Sequence, residues 1–210
     1  MMKLNNKDID KLERKFRLNL INSISGIKPA NLIGTRSKNG IDNLAIFSSV
    51  VHLGSNPAQL GFIVRPFAEH PRDTYSNILE TQYYTINGVP LELTKKAHYT
   101  SAKLDQGVSE FEVMNIEKEF MDDFHAPFVK SSPIKIGMKH LDSIPLPNGC
   151  MMVIGSVELL MVPEVSINDL GQLDLSHINS AGISGLNSYY SLNKLTTYPY
   201  VRVSEIPEFE

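Results

Sequence analysis

Residues 31–80 read NLIGTRSKNGIDNLAIFSSVVHLGSNPAQLGFIVRPFAEHPRDTYSNILE, and the fold turns on how they divide. Three apolar runs rich in β-branched residues are separated by turn chemistry. Residues 31–35 form the first, and Asn39-Gly40 after it is a strong hairpin signal, because both residues tolerate the positive φ that a tight β-turn needs. Residues 44–53 form the second, closed by Gly54-Ser55-Asn56-Pro57. Residues 60–64 form the third and run into Arg65-Pro66. Beyond Pro71-Arg72-Asp73-Thr74 the pattern becomes helical, with Tyr75, Ile78 and Leu79 on one side.

The polar residues of this stretch fall at its two ends. Asn43, Ser48 and Ser49 dot the second strand among apolar neighbours. Arg65 and Arg72 flank the start of a helix that Asp73 or Thr74 can cap. A helix N-terminus offers free N–H groups and partial positive charge, so two arginines beside it make a seat for phosphate. A polar-dotted strand leading to such a seat would hold a mononucleotide lengthwise. Taken singly, each arginine reads first as a solvated surface residue, and only the pair at one helix start reads equally as an anion site; the serines by themselves read first as a strand end facing water. Neither serine has a base and an orienting acid nearby in a nucleophile's pattern, so no catalytic side chain is assigned.

These residues resemble the flavin reductase-like, FMN-binding split-barrel family. The likeness is carried by Thr35, Gly40, Asn43-Leu44-Ala45-Ile46-Phe47-Ser48-Ser49, Pro57, Arg72-Asp73-Thr74 and Asn77-Ile78, and continues through Gly107-Val108-Ser109-Glu110-Phe111 and residues 152–157. The resemblance implies a mainly β fold, a Greek-key split β-barrel of about six strands with peripheral helices. It implies FMN as cofactor, with Thr35, Asn43, Ala45, Phe47, Ser48, Ser49, Arg65, Arg72, Asp73 and Thr74 as the binding residues. Relatives are homodimers with the flavin at the subunit interface. The implied activity is that of an NAD(P)H-dependent flavin reductase, which passes hydride from nicotinamide to flavin N5 and electrons on to a small-molecule or protein acceptor. The alternative is an FMN electron-transfer or sensory protein that does not use NAD(P)H. Many relatives carry Pro-Arg-Pro where this chain has Ile27-Lys28-Pro29; lysine lacks arginine's planar fork, so Lys28 is left out of the site.

The 210 residues carry a formal net charge of −3 and no long basic run, which argues against bulk binding to nucleic acid. One cysteine excludes an internal disulfide framework. The six histidines are scattered without ligand spacing, and no metal is expected. No apolar run approaches the roughly 20 residues that span a bilayer, and the charged N-terminus lacks a signal peptide's apolar core, so a cytoplasmic protein without membrane contact is expected.

Outside the central stretch, Ile9, Leu12, Phe16 and Leu20 predict an amphipathic helix over about 7–17, serving as a lid or a dimer contact. A strand is expected over 83–89, a helix over 91–99, and strands over 134–138 and 149–162, the last nearly all apolar and therefore central. Residues 163–210 have few strand signals and are expected to wrap either the barrel or a partner subunit. Tyr189 and Tyr190 there read first as packing and only second as flavin contacts. One domain over 1–210 is expected.

Overall fold

The computed structural model describes residues 1–66, 73–105 and 107–209. The N-terminal helix expected over 7–17 is two helices, α1 (Asn6–Lys11) and α2 (Arg14–Ser23). Each is started by a side chain. Asn5 and Asp8 form a reciprocal capping box on α1, and the Glu13 carboxylate accepts the Phe16 N–H at 2.9 Å on α2. Leu12 is extended between them and breaks the periodic run.

The chain then lays down β1 (Lys28–Pro29), β2 (Asn31–Arg36), β3 (Asp42–Phe47), β4 (Val51–Ser55) and β5 (Ala58–Val64). Helix α3 (Asp73–Thr81) leads into β6 (Tyr83–Gly88). A single 3-10 turn at Leu91–Leu93 runs into α4 (Thr94–Tyr99), so the helix expected over 91–99 is tighter at its start. Next come α5 (Glu110–Val113) and the two-residue strands β7 (Lys118–Glu119) and β8 (Phe128–Val129). Two long strands follow, β9 (Lys135–Pro145) and β10 (Met151–Met161), and last β11 (Ala181–Ser184) and β12 (Ser188–Ser191).

The main sheet has seven strands in the order β3-β2-β6-β9-β10-β5-β4, antiparallel throughout, one more than expected. Its two edge strands, β3 and β4, are consecutive in sequence and joined by only residues 48–50. Three residues span about 10 Å at most, so the sheet rolls until its edges meet. This is a split barrel. It also corrects the reading of residues 44–53 as one strand: the run breaks at 48–50 because its halves serve opposite edges, β3 pairing with β2 and β4 with β5. As expected, β10 is interior, between β9 and β5.

Two cores result. Inside the barrel, Ile33, Phe62, Tyr84, Met138 and Val153 pack together with Tyr75 and Ile78 of α3, which closes one end. On the outer face of β2 and β3, Leu32 and Leu44 pack with Ala97 of α4, Phe111 of α5 and Ile183 of β11. Gly34 in β2 allows a close approach, since a Cβ there would collide with the Pro127 carbonyl and the Thr85 hydroxyl.

The tail contains the strand pair β11–β12, which sequence patterning misses. Four-residue strands with serine at their ends offer little alternation, and they are held by pairing with each other and with β1. Among the described residues no helix is long and apolar enough to cross a membrane.

Candidate functional site

The β2–β3 hairpin and the first turn of α3 are joined by a buried polar lock. Thr35 and Asn43 are cross-strand partners, and the Asn43 amide donates to the Thr35 hydroxyl at 3.3 Å and to the Thr74 hydroxyl at 3.0 Å. Asn77, one helical turn beyond Thr74, donates to the same Thr35 oxygen at 3.1 Å. All four are buried, Thr35 completely. Buried amides and hydroxyls keep their place only where their partners are in reach, so the lock fixes the orientation of the start of α3 against the strands. Thr35 therefore lies behind the site rather than on its surface.

β3 is an edge strand, and an outward N–H of its first half is already used. The Leu44 N–H points away from β2 and donates to Glu110 at 3.0 Å. Glu110 opens α5, is 8% exposed, and is held there because the next residue, Phe111, is sunk in the outer core. Burial pushes its carboxyl above the ordinary range, the Leu44 N–H opposes that shift, and Asp73 nearby adds to it. Burial likewise raises the carboxyl of Asp73. Asp42, at the start of β3, is buried and bonded by Lys118 at 2.6 Å.

The second half of β3 differs. Ala45, Ile46 and Phe47 are half-buried, as are Ser48 and Ser49 after them. An antiparallel ladder alternates, so the Ile46 N–H and C=O share the outward direction of Leu44. The Phe47 ring turns inward, 5.0 Å from Phe62 in an edge-to-face contact. The Ser49 hydroxyl accepts the Ile63 N–H at 3.0 Å and lies 3.3 Å from the Ile63 carbonyl, stitching the seam between β3 and β5. Arg65 is exposed at the end of β5. Arg72 lies outside the described residues. An open strand edge can take the polar rim of a planar heterocycle, and a helix start can take an anion.

A flavin reductase like domain model matches residues 27–173. A protein of Shewanella frigidimarina NCIMB 400, provisionally named a flavin reductase with a split barrel domain, is 42% identical, superposes with a TM-score of 0.91, and is covered in full by 96% of this chain. The chain belongs to the flavin reductase-like family. Two further structures share the fold. Nitrilotriacetate monooxygenase component B of Bacillus cereus is 20% identical with a TM-score of 0.81, over 94% of this chain and 98% of that one. The 2-nitrobenzoate 2-nitroreductase of Pseudomonas fluorescens is 18% identical with a TM-score of 0.78, over 97% and 100%.

For a flavin reductase-like chain, sequence reading named Thr35, Asn43 and Thr74, and the structure joins all three in the buried lock. Sequence reading left Asn77 and Glu110 out of the site. Asn77 carries a signal, a polar residue one turn from Thr74 on the buried side of α3. Glu110 carries only a weak one, an acid directly before a core phenylalanine.

Proposed function

We propose that this chain binds FMN with the ring against the second half of β3 and the phosphate at the start of α3, as a homodimer with the flavin at the subunit interface, and acts as an NAD(P)H-dependent flavin reductase in the cytoplasm. The observation that carries this reading is the division of the β3 edge: the Leu44 N–H is taken by Glu110, whereas among the described residues no partner is found for the outward groups from Ile46 onward. A flavin's pyrimidine rim alternates acceptors with a donor, which is the complement of a strand's outward N–H and C=O. The residues present fit the group. The family membership and the provisional name of the Shewanella relative support the same reading.

Bound FMN supplies the redox chemistry, accepting hydride and passing electrons on. The chain's own part is positional. The Thr35–Asn43–Thr74–Asn77 lock holds the α3 start in place against the strands, and the α3 N–H groups with Arg65 and Arg72 are the proposed phosphate seat. Ser48 presents its hydroxyl beside the open edge, and Ser49 keeps the seam shut beneath it. No acid–base triad is required, and none of these residues is assigned one.

Equilibrium titration with FMN and riboflavin, followed by addition of NADH or NADPH, tests the reading. FMN should bind more tightly than riboflavin, and Arg72→Ala should cost FMN about 1.5–3 kcal/mol while leaving riboflavin nearly unchanged. Riboflavin binding as tight as FMN removes the phosphate seat. Bleaching of the bound flavin by either nicotinamide is expected; no bleaching by either would leave an FMN protein served by another donor.

A further inference from the structure

Both ends of the chain lie outside its two cores. None of the residues of α2 is buried, and Phe16, Leu18, Ile21 and Ile24 along it are 42–69% exposed. At the other end Leu195, Tyr198, Tyr200, Val203 and Phe209 are 79–95% exposed. A helix of 10 residues is too short to hold its shape in water unaided. The apolar residues of both arms therefore call for a cover that this chain does not provide for itself.

The amount of surface says how large that cover is. The chain exposes 13670 Å², whereas a compact monomer of its mass exposes about 9,800 Å². The excess, roughly 3,900 Å², is well above the ~800 Å² per partner of a standard interface and belongs with extensive, embracing ones.

Charge says what the cover is. Residues 1–23 hold six lysines and arginines against three acids, whereas residues 192–210 hold three glutamates, all within the last six residues, against Lys194 and Arg202. Among the described residues no ion pair joins the two arms within one chain. A surface made of one basic apolar arm and one apolar arm with an acidic end is self-complementary under two-fold symmetry, because each arm of one copy meets the opposite arm of the other.

We propose that the arms form a reciprocal clasp, in which the C-terminal arm of each protomer, residues 192–210, packs on the α2 face of a second copy of this chain. The sequence leaves open whether the tail covers its own barrel or a partner; its exposure within one chain selects the partner. The clasp rests on the homodimer of the reading above and not on its flavin chemistry.

Sedimentation equilibrium of the full chain and of two variants tests it. One variant carries Phe16→Ser and Ile21→Ser, the other Tyr198→Ser, Tyr200→Ser and Val203→Ser, with folding checked by circular dichroism. The full chain should be dimeric, and each variant should weaken the dimer by about tenfold or more. Combining both sets in one chain should add little, since they remove the same contact. Mixing the two variants should give heterodimers tighter than either variant's own dimer, because one of the two clasps is then intact. A monomeric full chain, variants that dimerise like the full chain, or mixtures no tighter than the parents would overturn the clasp. Flavin binding, followed by absorbance in the same samples, is a separate readout, so loss of the FMN reading leaves the dimer result standing.

Discussion

The two halves of β3 lie in one strand of six residues and do opposite things. Asp42, Asn43 and Leu44 are buried, and their polar atoms are held by Lys118, by the threonine hydroxyls and by Glu110. Ala45, Ile46 and Phe47 are half-buried, and beyond them Ser48 has no side-chain partner among the described residues. The difference comes from what is packed alongside. α3 and α5 bring acceptors to the first half, the Thr74 hydroxyl and the Glu110 carboxylate, and no such acceptor meets the second half among the described residues. A strand edge left unpaired is a liability unless something uses it; here the covering stops where the candidate site begins.

Breaking the closed half should have the larger effects. Asn43→Ala deserts two buried hydroxyls at once and should lower unfolding stability by about 3 kcal/mol, read by urea denaturation. A loss below ~1 kcal/mol would mean that the lock is not what holds α3.

Glu110→Ala leaves the Leu44 N–H without an acceptor and should cost about 2 kcal/mol, with most of it restored in Glu110→Gln. The pH dependence sharpens this. The Glu110 carboxyl is raised in the folded chain, so the folded state holds that proton more firmly than the unfolded one. Its contribution is greatest below the ordinary carboxylate value of 4.5 and is lost as pH rises from there through the raised value. Glu110→Gln cannot titrate, so its stability relative to the parent should improve as pH rises from about 4 to about 8. A difference flat across that range would remove the buried titrating carboxyl from the account.

The two serines of the open half give the finest comparison. Ser49→Ala loses the bridge to Ile63 and should cost about 1 kcal/mol, while Ser48→Ala should stay within about 0.5 kcal/mol. Equal costs would mean that Ser48 also serves the fold.

Local chemistry made much of this legible. The Asn39-Gly40 turn, the helical pattern from Asp73 and the apolar run that became β10 each follow from neighbours in sequence, and each appears in the structure near its expected bounds. The break in residues 44–53 was not legible, because both halves have equal strand propensity and only the rolling of the sheet gives them different partners. β11 was missed for a similar reason, being paired with β1 from far away in the chain, and β12 is held in turn by β11.

The sequence by itself determined which residues carry the family pattern, since composition, order and spacing along the chain suffice for that. Only the tertiary structure decided which protein groups each of them meets. Thr35 and Asn43 stand in sequence only as members of that pattern, and α3 brings Thr74 and Asn77 against them; Glu110 has no visible purpose until α5 sets it on the β3 edge. A polar side chain's role is fixed by the partner within 3 Å or so, and here those partners come from 31 to 66 residues away.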